Sequence, residues 1–271
     1  MSLQSEVPLM ESARSGSGEP LALLPGGLTG WISWIPHAEV LSTSRQVIRV
    51  QLHNVAIGLS GAPVPLNYSL DYEVTAFHKT LDDLAIEQAD LAGWSYGGVI
   101  ALSFAIHNPH RVRSLTLIEP GAFWILRSQG SYELSEQAIE EQKFFHEVAN
   151  AEDVSDEQLV KFLHIAGILP EDEDPRALSQ WPVWYKHRQS LRTGHFEEEH
   201  EDDIDLVRTF EKPVLLVKGE GSSPELHRVI DVLAKELPNA RVITLPGGHG
   251  AHIVTMQRFI ERLRRFLSEH R

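Results

Sequence analysis

The stretch Gly93-Trp94-Ser95-Tyr96-Gly97-Gly98 holds a serine with a glycine two residues away on either side. That spacing suits a nucleophile. A serine on a sharp strand-to-helix turn sits in strained backbone geometry, and small neighbours let the chain approach itself there. The context agrees: the apolar run Ala89-Asp90-Leu91-Ala92 ends at Gly93, and an apolar helix is expected from about Gly98 to Ile106. The Ser95 hydroxyl then projects above a strand end, with the Tyr96 N–H at the positive end of the helix that follows. The plainer alternative is a serine that only caps a helix. A hydroxyl nucleophile at neutral pH needs a base, and the base needs an orienting carboxylate. With 14 histidines in the chain, residue type alone does not choose the base.

The elements that must position such groups are legible as an alternation. Leu21 to Leu24 is too short for a helix and stops at Pro25-Gly26-Gly27, so it reads as a buried strand. Further strands are expected at Val47–Leu52, Leu115–Ile118, Val214–Val217 and Val242–Leu245. Between them run helical stripes. One follows Ser69 through Leu70, Val74, Phe77, Leu81 and Leu84; another opens at Ser223-Pro224, an N-cap with proline at the first helical position. A last helix is expected to bury Ile253, Met256, Ile260, Leu263 and Leu267. Strands separated by helices of this length imply an open, mostly parallel α/β sheet with helices on both faces.

Residues 121–211 break the rhythm, with helical stripes and no strand between them. Ser155-Asp156-Glu157-Gln158 is a capping box, and Ser135 is placed to cap an earlier helix through Phe144 and Phe145. The expected organisation is a core of residues 9–120 and 212–271 with a helical insertion at 121–211 lying over the strand ends, and residues 1–8 are expected to be flexible. The insertion holds acidic runs at Glu171–Asp174 and Glu197–Asp205, which read as solvated faces.

From about Gly16 to Leu267 the chain resembles the α/β-hydrolase superfamily, as a serine-nucleophile member with a helical cap. Gly16-Ser17-Gly18-Glu19-Pro20 stands where that family has a Gly-Ser-Gly-x-Pro turn before the strand bearing the oxyanion loop. The family's His-Gly after that strand is Pro25-Gly26 here, which leaves Gly27 as the match to the oxyanion donor, with Leu28 as the alternative. The donor is a backbone N–H, so losing the histidine side chain need not abolish the hole. The resemblance implies His249, in Pro246-Gly247-Gly248-His249, as the base. The usual acid position, three residues after Gly219, holds Ser222. The haloalkane dehalogenase-like branch instead takes its acid from the strand after the nucleophile helix, which points to Glu119, with Glu220 as the competitor. Dehalogenases of that branch and epoxide hydrolases use an aspartate nucleophile, so Ser95 disfavours both activities. After Val47–Leu52 the family's Asp-x-Arg-Gly-x-Gly-x-Ser turn is missing, and His53 and Asn54 either line the site or tie the loop. There is little room for the family's first hairpin, so the sheet is expected to start short.

Taken together, the resemblance implies acyl transfer on a carboxylic ester, lactone or related small molecule, with Gly27 and Tyr96 N–H groups stabilising the oxyanion. Two other classes stay open: a ligand receptor on the same fold, and a cofactor-free lyase or oxygenase using His249 as its base. Substrate-pocket candidates are Leu28, Trp94, Phe123, Trp124, Trp181 and Trp184, with Tyr185 beside them. A neutral, moderately apolar substrate is expected, anionic ones being disfavoured by the acidic insertion.

The 271 residues carry 24 Lys plus Arg and 38 Asp plus Glu, a formal charge of −14, which argues against nucleic acid as a partner. The absence of Cys removes disulfides, thiolate metal sites and cysteine nucleophiles. His249 and His252 lack a third ligand and make a poor zinc site, so no metal is expected. Gly26-Gly27-Leu28-Thr29-Gly30 has the wrong spacing for a dinucleotide loop, so no cofactor is expected either. No long apolar run suggests a membrane span, which makes the cytoplasm the default location. Nothing in the residues speaks to oligomeric state.

Overall fold

The computed structural model describes residues 7–130 and 136–270, and of residues 136–138 and 198 the backbone alone. Seven strands form one sheet: β1 (Ser12–Ser15), β2 (Pro20–Leu24), β3 (Gln46–Val50), β4 (Ala89–Trp94), β5 (Val112–Ile118), β6 (Val214–Gly219) and β7 (Ala240–Leu245). Their order is β1-β3-β2-β4-β5-β6-β7. Every neighbouring pair is parallel except β1 with β3. A single antiparallel edge strand therefore stands where the family hairpin is expected to be short. Of the segment 1–8, Val7 and Pro8 are described. Val7 packs against the core, and the Pro8 carbonyl meets His53 Nε2 at 3.2 Å.

The apolar runs form strands because both faces of the sheet are covered. In β2, Ala22 and Leu24 join one core with Phe77, Ile100 and Val229, while Leu21 and Leu23 join the other with Trp34, Phe259 and Leu263. Each fully buried Leu contributes roughly 1.5–3 kcal/mol, so the period-two alternation fixes the register. The helix Tyr96–His107 is buried along almost its whole length, which explains why its sequence shows no polar stripe. The helix Pro224–Glu236 begins as read, with Ser223 Oγ accepting from Leu226 N. One expectation fails at the C-terminal end. Ile253 is exposed, because the chain breaks at Thr255 between a short turn, Ala251–Val254, and the amphipathic helix Met256–Glu269.

Between β5 and β6, among the described residues, the chain is helical and contains no strand. The main helices are Glu136–Ala149, Asp156–Ile165 and Trp181–His187. Ser155 and Gln158 complete the capping box; the Ser135 cap lies outside the described residues. These helices share a third core of Phe144, Val148, Val154, Leu159, Leu163 and Leu191, which reaches down to Leu28. Among the described residues, no helix is long and apolar enough to cross a membrane.

Candidate active site

Ser95 sits at the carboxyl end of β4 with φ 52° and ψ −121°, a conformation that non-glycine residues adopt only when their surroundings impose it. The neighbouring glycines allow the turn. A Cβ at Gly93 would meet the Gly97 carbonyl, and one at Gly97 would meet the Pro25 carbonyl. Ser95 N donates to the Ile118 carbonyl at 3.0 Å, and Gly97 N to the Pro25 carbonyl at 3.1 Å. The turn is thereby tied to β5 on one side and to the loop after β2 on the other.

Glu119, the residue after β5, is also in the left-handed region at φ 41° and is 1% exposed. Its carboxylate is fully engaged: Oε1 accepts from Gly219 N at 2.7 Å, and Oε2 accepts from Ser222 Oγ at 2.6 Å and meets His249 Nδ1 at 2.9 Å. The structure thus brings Glu119, and not the exposed Glu220, to His249. Ser222, at the position where the resemblance leads one to expect an acid, donates a hydrogen bond to the Glu119 carboxylate at the end of the neighbouring strand. With Glu119 holding Nδ1, the other ring nitrogen of His249 is left for chemistry. His249 and Ser95 line one cavity. The histidine loop is pinned twice, by His249 N donating to the Gly167 carbonyl (3.0 Å) and by Trp94 Nε1 donating to the His249 carbonyl (2.9 Å).

The opposite wall is built around Gly27 and Asn54. Asn54 Nδ2 donates to the Gly27 carbonyl at 2.7 Å, fixing the peptide that follows Gly27. Asn54 is itself held through the first turn of the helix His53–Ser60, whose N–H groups at His53 and Asn54 donate to the two oxygens of Glu73 at 3.0 and 2.8 Å. Glu73 is completely buried, and burial raises its carboxyl above the usual range. Tyr68 donates to Glu73 at 2.6 Å and lies 3.1 Å from the Tyr96 hydroxyl. Because Tyr68 has a single proton and gives it to Glu73, Tyr96 donates to Tyr68. Burial and the Glu73 charge push both phenols well above the ordinary tyrosine range. This chain of contacts links Tyr96, beside Ser95, to the loop after β2 that carries Gly27. Its one sequence signal is Glu73 itself, a charge three residues after Leu70 and four before Phe77 on an apolar stripe.

Gly27, Tyr96 and Phe123 line the cavity with Ser95 and His249; the other pocket candidates do not. Leu28 packs into the third core. Trp94 anchors the histidine loop, and Trp124 is buried in the main core. Trp181 and Trp184 pack against the helical insertion's own core, while Tyr185 is 38% exposed with the Arg188 guanidinium 4.0 Å over its ring. A small helical layer must bury its largest rings to hold itself together, and that need takes these aromatics from the cavity. The question over His53 and Asn54 resolves by residue: Asn54 lines the site, whereas His53 ties the loop to Pro8. The remaining walls come from residues with no motif, among them Glu141, Phe145, Phe162 and Glu197.

His252 points away from the cavity into the second core, between Trp34, His37, Trp94 and Phe259. Burial pushes its imidazole well below the ordinary histidine value, and neither ring nitrogen has a hydrogen-bond partner among the described residues. It cannot share a metal with His249. No group of three or more metal-ligating side chains occurs among the described residues.

Comparison with known proteins agrees with this architecture. The chain is 42% identical over 107 residues to 2-hydroxymuconate semialdehyde hydrolase of Pseudomonas sp. strain CF600, covering 38% of this chain and 37% of that protein. It is 37% identical over 106 residues to 2-hydroxy-6-oxo-2,4-heptadienoate hydrolase of Pseudomonas putida F1, covering 38% of each. The matched region thus spans well under half the length of these relatives. A crystal structure of a hydrolase from Pseudomonas aeruginosa PA01 superposes with a TM-score of 0.74 at 22% identity, over 95% of this chain and 94% of that one, a likeness of fold. Residues 21–262 match the alpha/beta hydrolase family, and with a strained serine elbow at the end of β4 inside that span, the chain belongs to this family.

Proposed function

We propose that this chain is a serine hydrolase of small, fairly apolar carbonyl compounds, esters or lactones, acting through Ser95, His249 and Glu119. The observation that carries the reading is the 2.9 Å contact between buried Glu119 and His249 in the wall of a cavity that Ser95 also lines. A receptor has no need of an aligned base. Ser95 Oγ attacks the carbonyl carbon while His249 Nε2 takes its proton, and Glu119 compensates the imidazolium that forms. The oxyanion is met by the N–H groups of Gly27 and Tyr96, the second at the start of the nucleophile helix. Collapse breaks the bond to the leaving oxygen, which receives the proton from His249 and departs as an alcohol. Water then gives its proton to His249 and its oxygen to the acyl carbon; the carboxylic acid leaves, and the proton returns to Ser95. No cofactor enters this cycle.

In this reading residues 121–211 act as a cap over the core of 9–120 and 212–271. The pinning of His249 N by the Gly167 carbonyl and of the Leu28 carbonyl by Ser190 Oγ supports a cap that helps to hold the site. The test is labelling by a fluorophosphonate probe, read by mass spectrometry, with hydrolysis of a short aryl ester followed in parallel. Modification at Ser95 with turnover is the expected result. Turnover that persists in Ser95→Ala, or a protein that is neither labelled nor active, overturns the reading.

A further inference from the structure

The loop after β2 reads Pro25-Gly26-Gly27 and has no side chain able to hold its own backbone, so its support must come from outside. Gly97 N, on the nucleophile helix, holds the Pro25 carbonyl, and Asn54 Nδ2 holds the Gly27 carbonyl. Gly27 is also wedged in place. A Cβ there would lie 3.1 Å from Asn54 Nδ2 and 3.3 Å from Tyr96 Cβ, so the loop rests on Asn54 on one side and on Tyr96 on the other. Both of those residues run back to one carboxylate. Glu73 Oε1 accepts from Asn54 N at 2.8 Å and from the Tyr68 hydroxyl at 2.6 Å, and that hydroxyl lies 3.1 Å from the one of Tyr96. The contacts close a ring: Gly27, Asn54, Glu73, Tyr68, Tyr96 and back to Gly27. All four side chains in it are buried. Burial and the Glu73 charge push both phenols well above the ordinary tyrosine range, so each keeps its proton for the next member of the ring.

A plainer role for Glu73 is that of a helix cap. The helix His53–Ser60 follows Leu52, whose side chain cannot cap it, and Glu73 takes the N–H groups of His53 and Asn54 from another helix. Capping accounts for those two bonds and no more. It needs neither Tyr68 nor the link onward to Tyr96, and a serine in place of Leu52 would cap the helix without burying a charge.

We propose that Glu73 is a positioning residue for the reaction, holding the two N–H groups assigned to the oxyanion, those of Gly27 and Tyr96, at a fixed separation through Asn54 and Tyr68. The role rests on the hydrolase reading of Ser95 and deepens it. Gly27, Asn54 and Tyr96 line the cavity, whereas Glu73 and Tyr68 stand behind them. Glu73 therefore acts where charge develops on the substrate oxygen, and not on binding of the neutral ester.

The experiment reads kcat and KM for a neutral aryl ester beside the inhibition constants of two ketones of one shape, a trifluoromethyl ketone and its methyl counterpart. Ser95 Oγ adds to the carbonyl carbon of the fluorinated ketone, the serine proton passes to His249, and the carbonyl electron pair moves onto the oxygen as an oxyanion. The methyl ketone stays trigonal and reports the ground state. In Tyr68→Phe, which keeps the carboxylate and the helix cap, kcat should fall by about 3- to 10-fold with KM within about 2-fold, and the preference for the fluorinated ketone should fall by the same factor. Glu73→Gln should lose about 10- to 100-fold in both readouts. A helix cap alone would instead lower the thermal midpoint of Glu73→Gln and leave kcat and the ketone preference as they were. Unchanged kcat or an unchanged preference in Tyr68→Phe, or a loss confined to KM, overturns the positioning role and leaves the hydrolase reading standing. Tyr68→Phe decides alone should Glu73→Gln not fold. A wild-type protein that hydrolyses no ester and binds both ketones equally removes both readings.

Discussion

The floor and the roof of the cavity are built on different terms. The floor, at the strand ends, holds Ser95 and Glu119 by bonds to neighbouring strands: Ser95 N on Ile118, Glu119 N on Val217, and Gly219 N on the Glu119 carboxylate. The roof, as proposed above, is a helical layer whose Trp181 and Trp184 pack against its own core, and it lends the cavity scattered side chains such as Glu141, Phe145 and Glu197. Position in the floor follows from sheet register, which tolerates no slip. Position in the roof follows from helix packing, which allows many arrangements of the same residue types. In the proposed reading the reaction is therefore set by the floor, and the choice of substrate by the roof.

That division breaks most directly at Ser95. Its replacement by Ala should lower kcat for a neutral aryl ester by roughly 10⁴ or more, with the thermal midpoint nearly unchanged, as checked by burst-free steady-state kinetics and a melting scan. A loss of less than about 10-fold would mean that the floor does not carry the chemistry. Next comes the acid. Glu119→Gln keeps the shape but not the charge facing His249, and kcat should fall by about 10³-fold or more, while the exposed Glu220→Gln leaves it within about 2-fold. The reverse ranking would move the acid to the strand that usually bears it.

Much of the floor was legible because its constraints are local. The serine elbow needs glycines at fixed offsets, and Glu119 follows an apolar run of strand length with Pro120 behind it. The apolar runs gave the sheet and its two covers, although not the exposed Ile253, since an amphipathic stripe does not reveal where a helix breaks. The roof was legible only as helices. Whether Trp181 or Phe145 faces the cavity depends on how helices cross, and no spacing along the chain encodes that. Trp94 was misread for a related reason: beside the nucleophile in sequence, it points to the other side of β4, where it bonds the His249 carbonyl. Glu73 left a faint mark, a charge on an apolar stripe, but its partners Asn54, His53 and Tyr68 come together only in three dimensions.

Asn54 sharpens the comparison because it belongs to neither a strand end nor the roof, yet holds the loop that carries Gly27. Asn54→Ala removes the bond to the Gly27 carbonyl. It should lower kcat for a neutral ester by about 10- to 100-fold while KM changes little, because the bond steadies the loop that carries Gly27, whose N–H matters mainly when charge develops on the substrate oxygen. A change in KM alone, with kcat intact, would make Asn54 a contact to the ground state and not a support for the hole.

The smallest effect concerns stability, and it separates the two faces of the sheet. His252 is buried beneath the floor among Trp34, His37, Trp94 and Phe259, and desolvation, aided by the nearby His37 and His249, holds its ring neutral well below the ordinary value of 6.5. Above pH 6.5 both the folded and the unfolded chain keep the ring neutral, so its contribution is fully present. As pH falls below 6.5 the unfolded chain binds a proton that the folded chain refuses, and stability drops by up to about 1.4 kcal/mol per pH unit until the folded ring itself titrates. Burial lowers His37 as well, so the wild-type slope is expected to be steeper than one proton requires. Urea unfolding at several pH values between 8 and 5 reads this directly. In His252→Phe, which keeps a ring in the cluster but cannot take a proton, the slope should shrink by about one proton. An identical slope in both proteins would place the acid sensitivity elsewhere, in the carboxylates of the roof.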